Sequence, residues 1–277
     1  MKWIFVWIRF DLCVSSLCVI ALIACEPGRP HIIAARHTSV RSDAGHSGDA
    51  MAGGDSGWLS LFNGVDLTGW NSYLGKPSPT EPPLGLDFDS LAIFSIVQVD
   101  GEPSIRVSGE VWGALTSKVE YCSFHLRLQY RWGTLTWPPL NSFDSGVMYF
   151  STGPFGAVNA GGSALSDPVG SGGFMVSMEY QVSPGDVAGM YNLGPIAFDA
   201  LTRSEPTAEL PGWNDVDIIV QADSSEHLLN GQQVVKGSNF DLNWPGQPAA
   251  ALSCGKFQLE SEGAEIFFRR IELLPLF

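Results

Sequence analysis

The chain has 277 residues and a formal net charge of −14, from 15 Lys and Arg against 29 Asp and Glu, with 31 Gly, 18 Pro and 11% aromatic residues. Such acidity repels phosphate backbones and offers no basic stripe, which excludes nucleic acid as a partner and leaves a neutral ligand such as a sugar, or simply a soluble surface. The Gly, Pro and aromatic content suits many short strands joined by turns, in a chain long enough for one large β domain.

At the N-terminus, Lys2 and Arg9 precede an apolar run from Leu12 to Ala24 that is short for a membrane span and ends in Leu22-Ile23-Ala24-Cys25. That ending resembles a bacterial lipobox, in which the Cys becomes the lipidated first residue. Residues 1–25 are therefore expected to be a lipoprotein signal peptide, with Cys25 as the lipid anchor to the membrane; a plain signal peptide or an uncleaved anchor is the alternative. Glu26 in place of an Asp resembles the sorting signal for the outer rather than the inner membrane of a bacterial cell envelope. Residues 26–57, rich in Gly, Ser, Ala and Asp, read as a flexible linker, and His31, His37 and His46 within it are too irregularly spaced to suggest a metal site.

Order is expected from residue 58 to 277. Trp58 to Trp70 reads as a first strand running into an Asn63-Gly64 turn, and a proline-broken loop from Lys76 to Pro83 follows. Short strands are expected at 92–97, 104–107 and 113–117, with a turn at Asp100-Gly101. Tyr121 to Arg131 alternates cleanly, with Phe124, Leu126, Leu128 and Tyr130 on one side and His125, Arg127, Gln129 and Arg131 on the other. A loop over 132–143 carries Trp132, Trp137 and Pro138-Pro139, and Asp144-Ser145-Gly146 opens a strand through Phe150. Gly153 to Gly173 is a loop of about twenty residues, a length uncommon inside a compact domain, which reads as either functional or poorly ordered.

Phe174 to Asp186 is the most informative stretch. Phe174, Val176, Met178, Tyr180 and Val182 share one face, and Met175, Ser177, Glu179 and Gln181 share the other, so a carboxylate and a carboxamide project together from one strand. Further strands are expected through 189–198 and around Val216, Ile218 and Val220. Asn230-Gly231 between Leu228-Leu229 and Val234-Val235 is the strongest hairpin signal, and 256–260 and 265–274 close the chain around a turn at Glu262-Gly263-Ala264. No segment sustains a helical period. The fold expected is all-β, a two-sheet antiparallel jelly-roll sandwich. Cys122 and Cys254 are the cysteines outside the export segment, and the sequence leaves open whether they form a disulfide or two small buried thiols.

LFNGVDLTGW near the start, FHLRLQYRWG at 124–133, DSGVMYF at 144–150, MEYQVSPGD at 178–186, GWNDVDIIV at 212–220, LLNGQQVV at 228–235 and FQLESEGAEIFFRRIELLPL at the end together resemble the 3-keto-disaccharide hydrolase domain family. Members of that family resemble the concanavalin A-like lectin and glucanase jelly roll. Three departures flank the candidate site and bear on substrate choice: Phe143 where the family often has a basic residue, Arg270 within Phe268-Arg269-Arg270-Ile271 where it has Asn, and the long 153–173 loop.

The resemblance implies cleavage of a 3-keto-glycoside, an oligosaccharide-type substrate whose C3 ketone acidifies the C2 proton. Removing that proton expels the C1 substituent, so the reaction needs a base near C2, an enolate stabiliser and an acid or water for the leaving group. Glucanases of this fold carry two or three acids at alternate positions of one strand, whereas here Gln181 follows Glu179, which suits a single base better than a retaining pair. Glu179 and Asp144 are therefore the candidate catalytic residues. Gln181, His125, Arg127, Arg131 and Arg269 are candidates for binding sugar oxygens, and Trp137, Tyr191 and Trp213 for stacking on a pyranose. If Asp144, Glu179 and Asp186 converge with His125, they could instead hold a divalent cation that polarises the ketone. The other reading, from a different class, is a non-catalytic carbohydrate-binding surface lipoprotein.

Overall fold

The computed structural model describes residues 57–159, 172–204 and 208–277. The expected signal peptide, Cys25 and the linker to residue 56 lie outside the described residues. In chain order the strands are β1 (Leu59–Ser60), β2 (Trp70–Leu74), β3 (Gly85–Leu86), β4 (Phe94–Val99), β5 (Glu102–Val107) and β6 (Gly113–Ser117). Next come β7 (Phe124–Thr136), β8 (Ser145–Thr152), β9 (Val176–Val182), β10 (Met190–Leu193), β11 (Ile196–Arg203) and β12 (Asn214–Gln221). The last five are β13 (Ser224–Leu229), β14 (Gln232–Leu242), β15 (Ala250–Ala251), β16 (Lys256–Ser261) and β17 (Ala264–Pro275). Among the described residues there is no helix.

These strands make two antiparallel sheets, as the alternation predicts. One runs β11-β14-β13-β12-β7-β17-β5-β4, with β1 on β17 and β15 on β14; the other runs β10-β9-β8-β16-β6-β2-β3. Their facing sides carry the apolar halves of each strand: Phe124, Leu126, Leu128 and Tyr130 of β7 meet Val147, Tyr149, Met178 and Tyr180 in one core. Each such buried side chain contributes roughly 1.5–3 kcal/mol. The Asn230-Gly231 turn forms as its sequence requires, both residues at positive φ (50° and 76°), the geometry of a two-residue hairpin loop.

Two local expectations change. β1 is only two residues long, because Asn63 Oδ1 accepts from the Val65 and Asp66 amides and turns the chain early. β7 extends through Thr136 into the expected loop, because β17 pairs along it as far as Ala264 opposite Thr136. Gly133 permits this: a Cβ there would fall 2.2 Å from Glu265 Oε2. Cys122 and Cys254 form a disulfide that joins the β6–β7 and β15–β16 connections across a sequence separation of 132. Restricting a loop that long in the unfolded chain contributes roughly 5 kcal/mol in chain-entropy terms.

Candidate active site

β9 sets the site through its alternation. Tyr180 points into the core, where its hydroxyl donates to Leu228 O of the opposite sheet at 3.0 Å, so Ser177, Glu179 and Gln181 point away from that sheet. Register names their neighbours: on β8, Met148 lies beside Glu179 and Gly146 beside Gln181, and on β10 Tyr191 lies beside Glu179. One strand further, Gln258 of β16 pairs with Met148, which brings Gln258 and Glu260 to the same face. Gln258 is locked there, donating to Thr116 Oγ1 at 3.0 Å and accepting from the Met175 amide at 3.3 Å.

Gly146 lets the two glutamates meet. A Cβ at this position would stand 2.5 Å from Glu179 Oε1 and 2.7 Å from Glu260 Oε2, closer than real carbons come. The missing side chain leaves a notch over which the two carboxyls are in hydrogen-bonding contact. Glu262, in the β16–β17 turn, also contacts Glu260, and Asp144 at the mouth of β8 is near enough to act electrostatically on all three. Asp186, after β9, is held by the Tyr191 hydroxyl and the Arg203 guanidinium.

Burial dominates the electrostatics of this row, because a desolvated carboxylate is costly. Asp144 is pushed up to about 6, chiefly by desolvation and further by Asp186, against a hydrogen bond from the Ser145 amide. Glu179, 4% exposed, is pushed up to about 7 by burial, with the Glu260 hydrogen bond pulling it down and the Asp144 and Asp186 charges pushing it up. Burial takes Glu262 to about 9, helped by Asp144 and Glu179. Glu260, 1% exposed, lies well above the usual carboxylate range, from burial first and then from the charges of Glu262 and Glu179. Asp144 Oδ1, Gln181 Oε1 and Glu260 Oε2 are buried atoms that meet no donor.

The structure thus brings Asp144, Glu179, Gln181 and Tyr191 together on one sheet. It does not bring His125, Arg127, Arg131, Trp213 or Arg269 to them, because these sit on the other sheet, on the side turned away from its core. Alternation showed that this side of β7 is polar but not which way the sheet faces. There the residues satisfy one another: His125 pairs with Asp217 at 2.6 Å, Arg127 with Glu272 at 2.8 Å and Arg131 with Asp100 at 3.0 Å. Trp213 donates to Asp100 at 2.9 Å and is capped by the Arg269 guanidinium 3.9 Å from its ring centre, so that face of the indole is not free for a sugar. Trp137 takes a third role: its ring nitrogen donates to Ser108 O and its amide to Gly263 O, which ties it to the turn that carries Glu262.

With His125 on the other sheet, the expected cation set does not form, and among the described residues no three His, Cys, Asp or Glu side chains are arranged to hold a metal ion. Two residues escaped the sequence reading, Glu260 and Glu262. Their signal was the alternation of Phe257 and Leu259 with Gln258 and Glu260, carried on two residues to Glu262 in the turn, two acids at alternate positions along a segment other than β9. Glu179 is alone on its strand but not in its site. A cleft of about 540 Å³, walled by Trp112, Pro138 and Pro139 with Lys76 and Glu110, lies beside the segment that packs on the β16–β17 turn, and none of Asp144, Glu179, Gln181, Glu260 or Glu262 lines it. Pro138 and Pro139 lie between Trp137 and Leu140, which pack on Gly263, and Trp112 adjoins Gly113, the register partner of Ser261.

Two antiparallel sheets packed face to face around one apolar core define an all-β sandwich of the jelly-roll kind. The chain belongs to the family described as the 3-keto-alpha-glucoside-1,2-lyase-like domain, which matches residues 57–274, and so stands among carbohydrate-active, hydrolase-like proteins. Similar solved structures include two proteins of Parabacteroides distasonis ATCC 8503 assigned as glycosyl hydrolases. One is 17% identical with a TM-score of 0.47, covering 80% of this chain and 94% of that one; the other is 18% identical at 0.48, covering 79% and 99%. The β-glucanase of Bacillus licheniformis is similar at 10% identity and a TM-score of 0.39, covering 79% of this chain and 97% of that one. No curated protein matches.

Proposed function

We propose that this is an exported enzyme, lipid-anchored through Cys25 on a bacterial envelope, that cleaves 3-keto-glycosides such as 3-keto-disaccharides. The observation that carries the reading is Glu179, a buried carboxyl brought to titrate near neutrality on a strand face shared with further acids. A base works best when its pKa is near the operating pH. Glu179 takes the C2 proton, the C2–H electrons form the C1–C2 double bond, and the C1–O bond breaks. Asp144, pushed up to about 6, exchanges protons in the same range and supplies one to the departing oxygen. Gln181 Oε1, buried without a donor, accepts from a sugar hydroxyl, and water adds to C1 afterwards. The contact between Glu179 and Glu260 also distinguishes the site from an ordinary glycosidase, whose two carboxyls stand about 5 Å or more apart to flank the bond.

The test is Glu179→Gln assayed for release of sugar from a 3-keto-disaccharide. A fall of roughly 10² to 10⁴ in kcat is expected, the usual worth of a general base; unchanged turnover sinks the assignment. One observation favours a second reading, a non-catalytic carbohydrate-binding lipoprotein: Glu179 is only 4% exposed. Calorimetric binding of glycans by a domain that releases no product from native or 3-keto sugars would select that reading.

A further inference from the structure

The proposed chemistry uses Glu179 and Asp144, and leaves unexplained the most deeply enclosed carboxyl of the site. We infer that Glu260 is a positioning residue for Glu179: held as a neutral carboxylic acid, it donates its hydroxyl proton to the Glu179 carboxylate across the notch at Gly146 and fixes the orientation of that carboxylate. This rests on the reading of Glu179 as the base.

Three observations on geometry support it. First, the two side chains come from strands separated by β8, and both reach within 2.7 Å of the one point that a Cβ of Gly146 would occupy. Nothing but the absence of that side chain allows the approach. Second, Glu260 Oε2 is buried and meets no N–H or O–H donor, so no donor of the protein satisfies it as a carboxylate oxygen. A carboxyl proton changes that count, because a protonated acid is itself a donor and Glu179 is the acceptor within reach. Third, among the described residues no Lys, Arg or His forms an ion pair with Glu179, Glu260 or Glu262. The charged groups facing Glu260 are Glu179 from β9, Glu262 from the β16–β17 turn and Asp144 from the start of β8. Asp186, beyond Glu179, is matched by Arg203.

Two ionised carboxylates in contact without a cation repel strongly in a dry site, so the pair keeps a proton. Glu260 keeps it, because it faces Glu262 and Asp144 as well as Glu179 and is the more enclosed of the two, at 1% against 4% exposure. The direction of both titrations agrees, since the hydrogen bond raises Glu260 and lowers Glu179. The donated bond favours the ionised form of Glu179, which is the form that can take a proton from carbon. When Glu179 has taken that proton, the bond from Glu260 loses its charged acceptor, and that state favours return of the proton to C2 when water adds to C1, Asp144 having protonated the departing oxygen.

Three variants test this. Glu260→Gln keeps a donor of the same shape without a titratable proton, Glu260→Met removes the donor, and Glu179→Gln removes the acceptor. Infrared difference spectra of the unliganded protein at neutral pH should show the C=O stretch of a buried protonated carboxyl that Glu260→Gln abolishes and Glu179→Gln shifts. With a 3-keto-disaccharide, the acid limb of the kcat/KM profile should stay within about half a pH unit of wild type in Glu260→Gln. It should move up by about one unit in Glu260→Met, roughly a tenfold loss at a fixed pH below the limb. A neutral-pH spectrum in which Glu260→Gln removes no protonated carboxyl overturns the inference, as do equal shifts of the limb in both Glu260 variants. If no 3-keto-glycoside is turned over, the infrared arm still decides the pair, and if Glu260→Met does not fold, the two Gln variants do.

Discussion

His227 Nε2 lies 3.0 Å from the hydroxyl of Tyr149, which joins the two sheets through a polar contact inside the core. The other ring nitrogen faces Ala188 O at 3.2 Å, and a carbonyl only accepts, so Nδ1 carries the proton and Nε2 accepts from the tyrosine. Full burial then pushes the imidazole down to about 3. Between about pH 6.5 and 3 the unfolded chain binds a proton at this residue that the folded protein does not, and stability falls as pH is lowered through that window. Urea unfolding of wild type and His227→Gln at pH 7 and pH 4 should show the advantage of wild type shrinking by a few kcal/mol on acidification.

The carboxyl row has the opposite sign. Asp144, Glu179 and Glu262 are raised to about 6, 7 and 9, so the folded protein holds protons that the unfolded chain has released. Their stability contribution is present in acid and is lost as pH rises from about 4 through 7 for the first two and on to 9 for Glu262. Melting temperatures should therefore decline between pH 5 and 9, and Glu262→Gln should reduce the decline above pH 7 by the share that Glu262 carries, Glu260 supplying the rest. A slope above pH 7 left unchanged by this substitution would place the proton elsewhere.

Gly146→Ala is expected to disable the site without disturbing the strand, since the backbone at this position is not in the left-handed region. The added methyl displaces the Glu179 and Glu260 carboxyls it would otherwise overlap. A displacement near 1 Å costs on the order of 10² in rate. Turnover within threefold of wild type would show that the carboxyls can move and still work.

The outward side of the ten-stranded sheet should be silent in catalysis. Arg127→Ala, Arg131→Ala and Arg269→Ala break ion pairs or a guanidinium stack remote from Glu179. The exposed pairs of Arg127 and Arg131 contribute about 0–1 kcal/mol each, so small changes in melting temperature are expected there and a larger fall for the buried Arg269, with kcat/KM within about twofold for all three. A large rise in KM from any of them would return the substrate to this face.

The strands were legible because alternation is local: the sides of Phe124 to Arg131 and of Phe174 to Val182 follow from a period of two, and Asn230-Gly231 from its turn. The partner of Glu179 was not legible, because Glu260 reaches it only through the order β9-β8-β16, a long-range pairing that no window of sequence contains. For the same reason the sequence left open whether His125 and Glu179, each on the polar side of a clean strand, converge, and they occupy different sheets. Alternation separates inside from outside. It does not say which outside.

The consecutive strands β16 and β17 occupy the middle of the two sheets, β16 between β8 and β6 and β17 between β7 and β5. Both follow in sequence the strands they join, and until they pair, β5, β6, β7 and β8 each present an unpaired edge, the surface on which strands of separate chains join. Assembly is dominated by these distant pairings, which makes it slow. Loss of residues 256–275 would remove Glu260, Glu262 and the seam of each sheet at once.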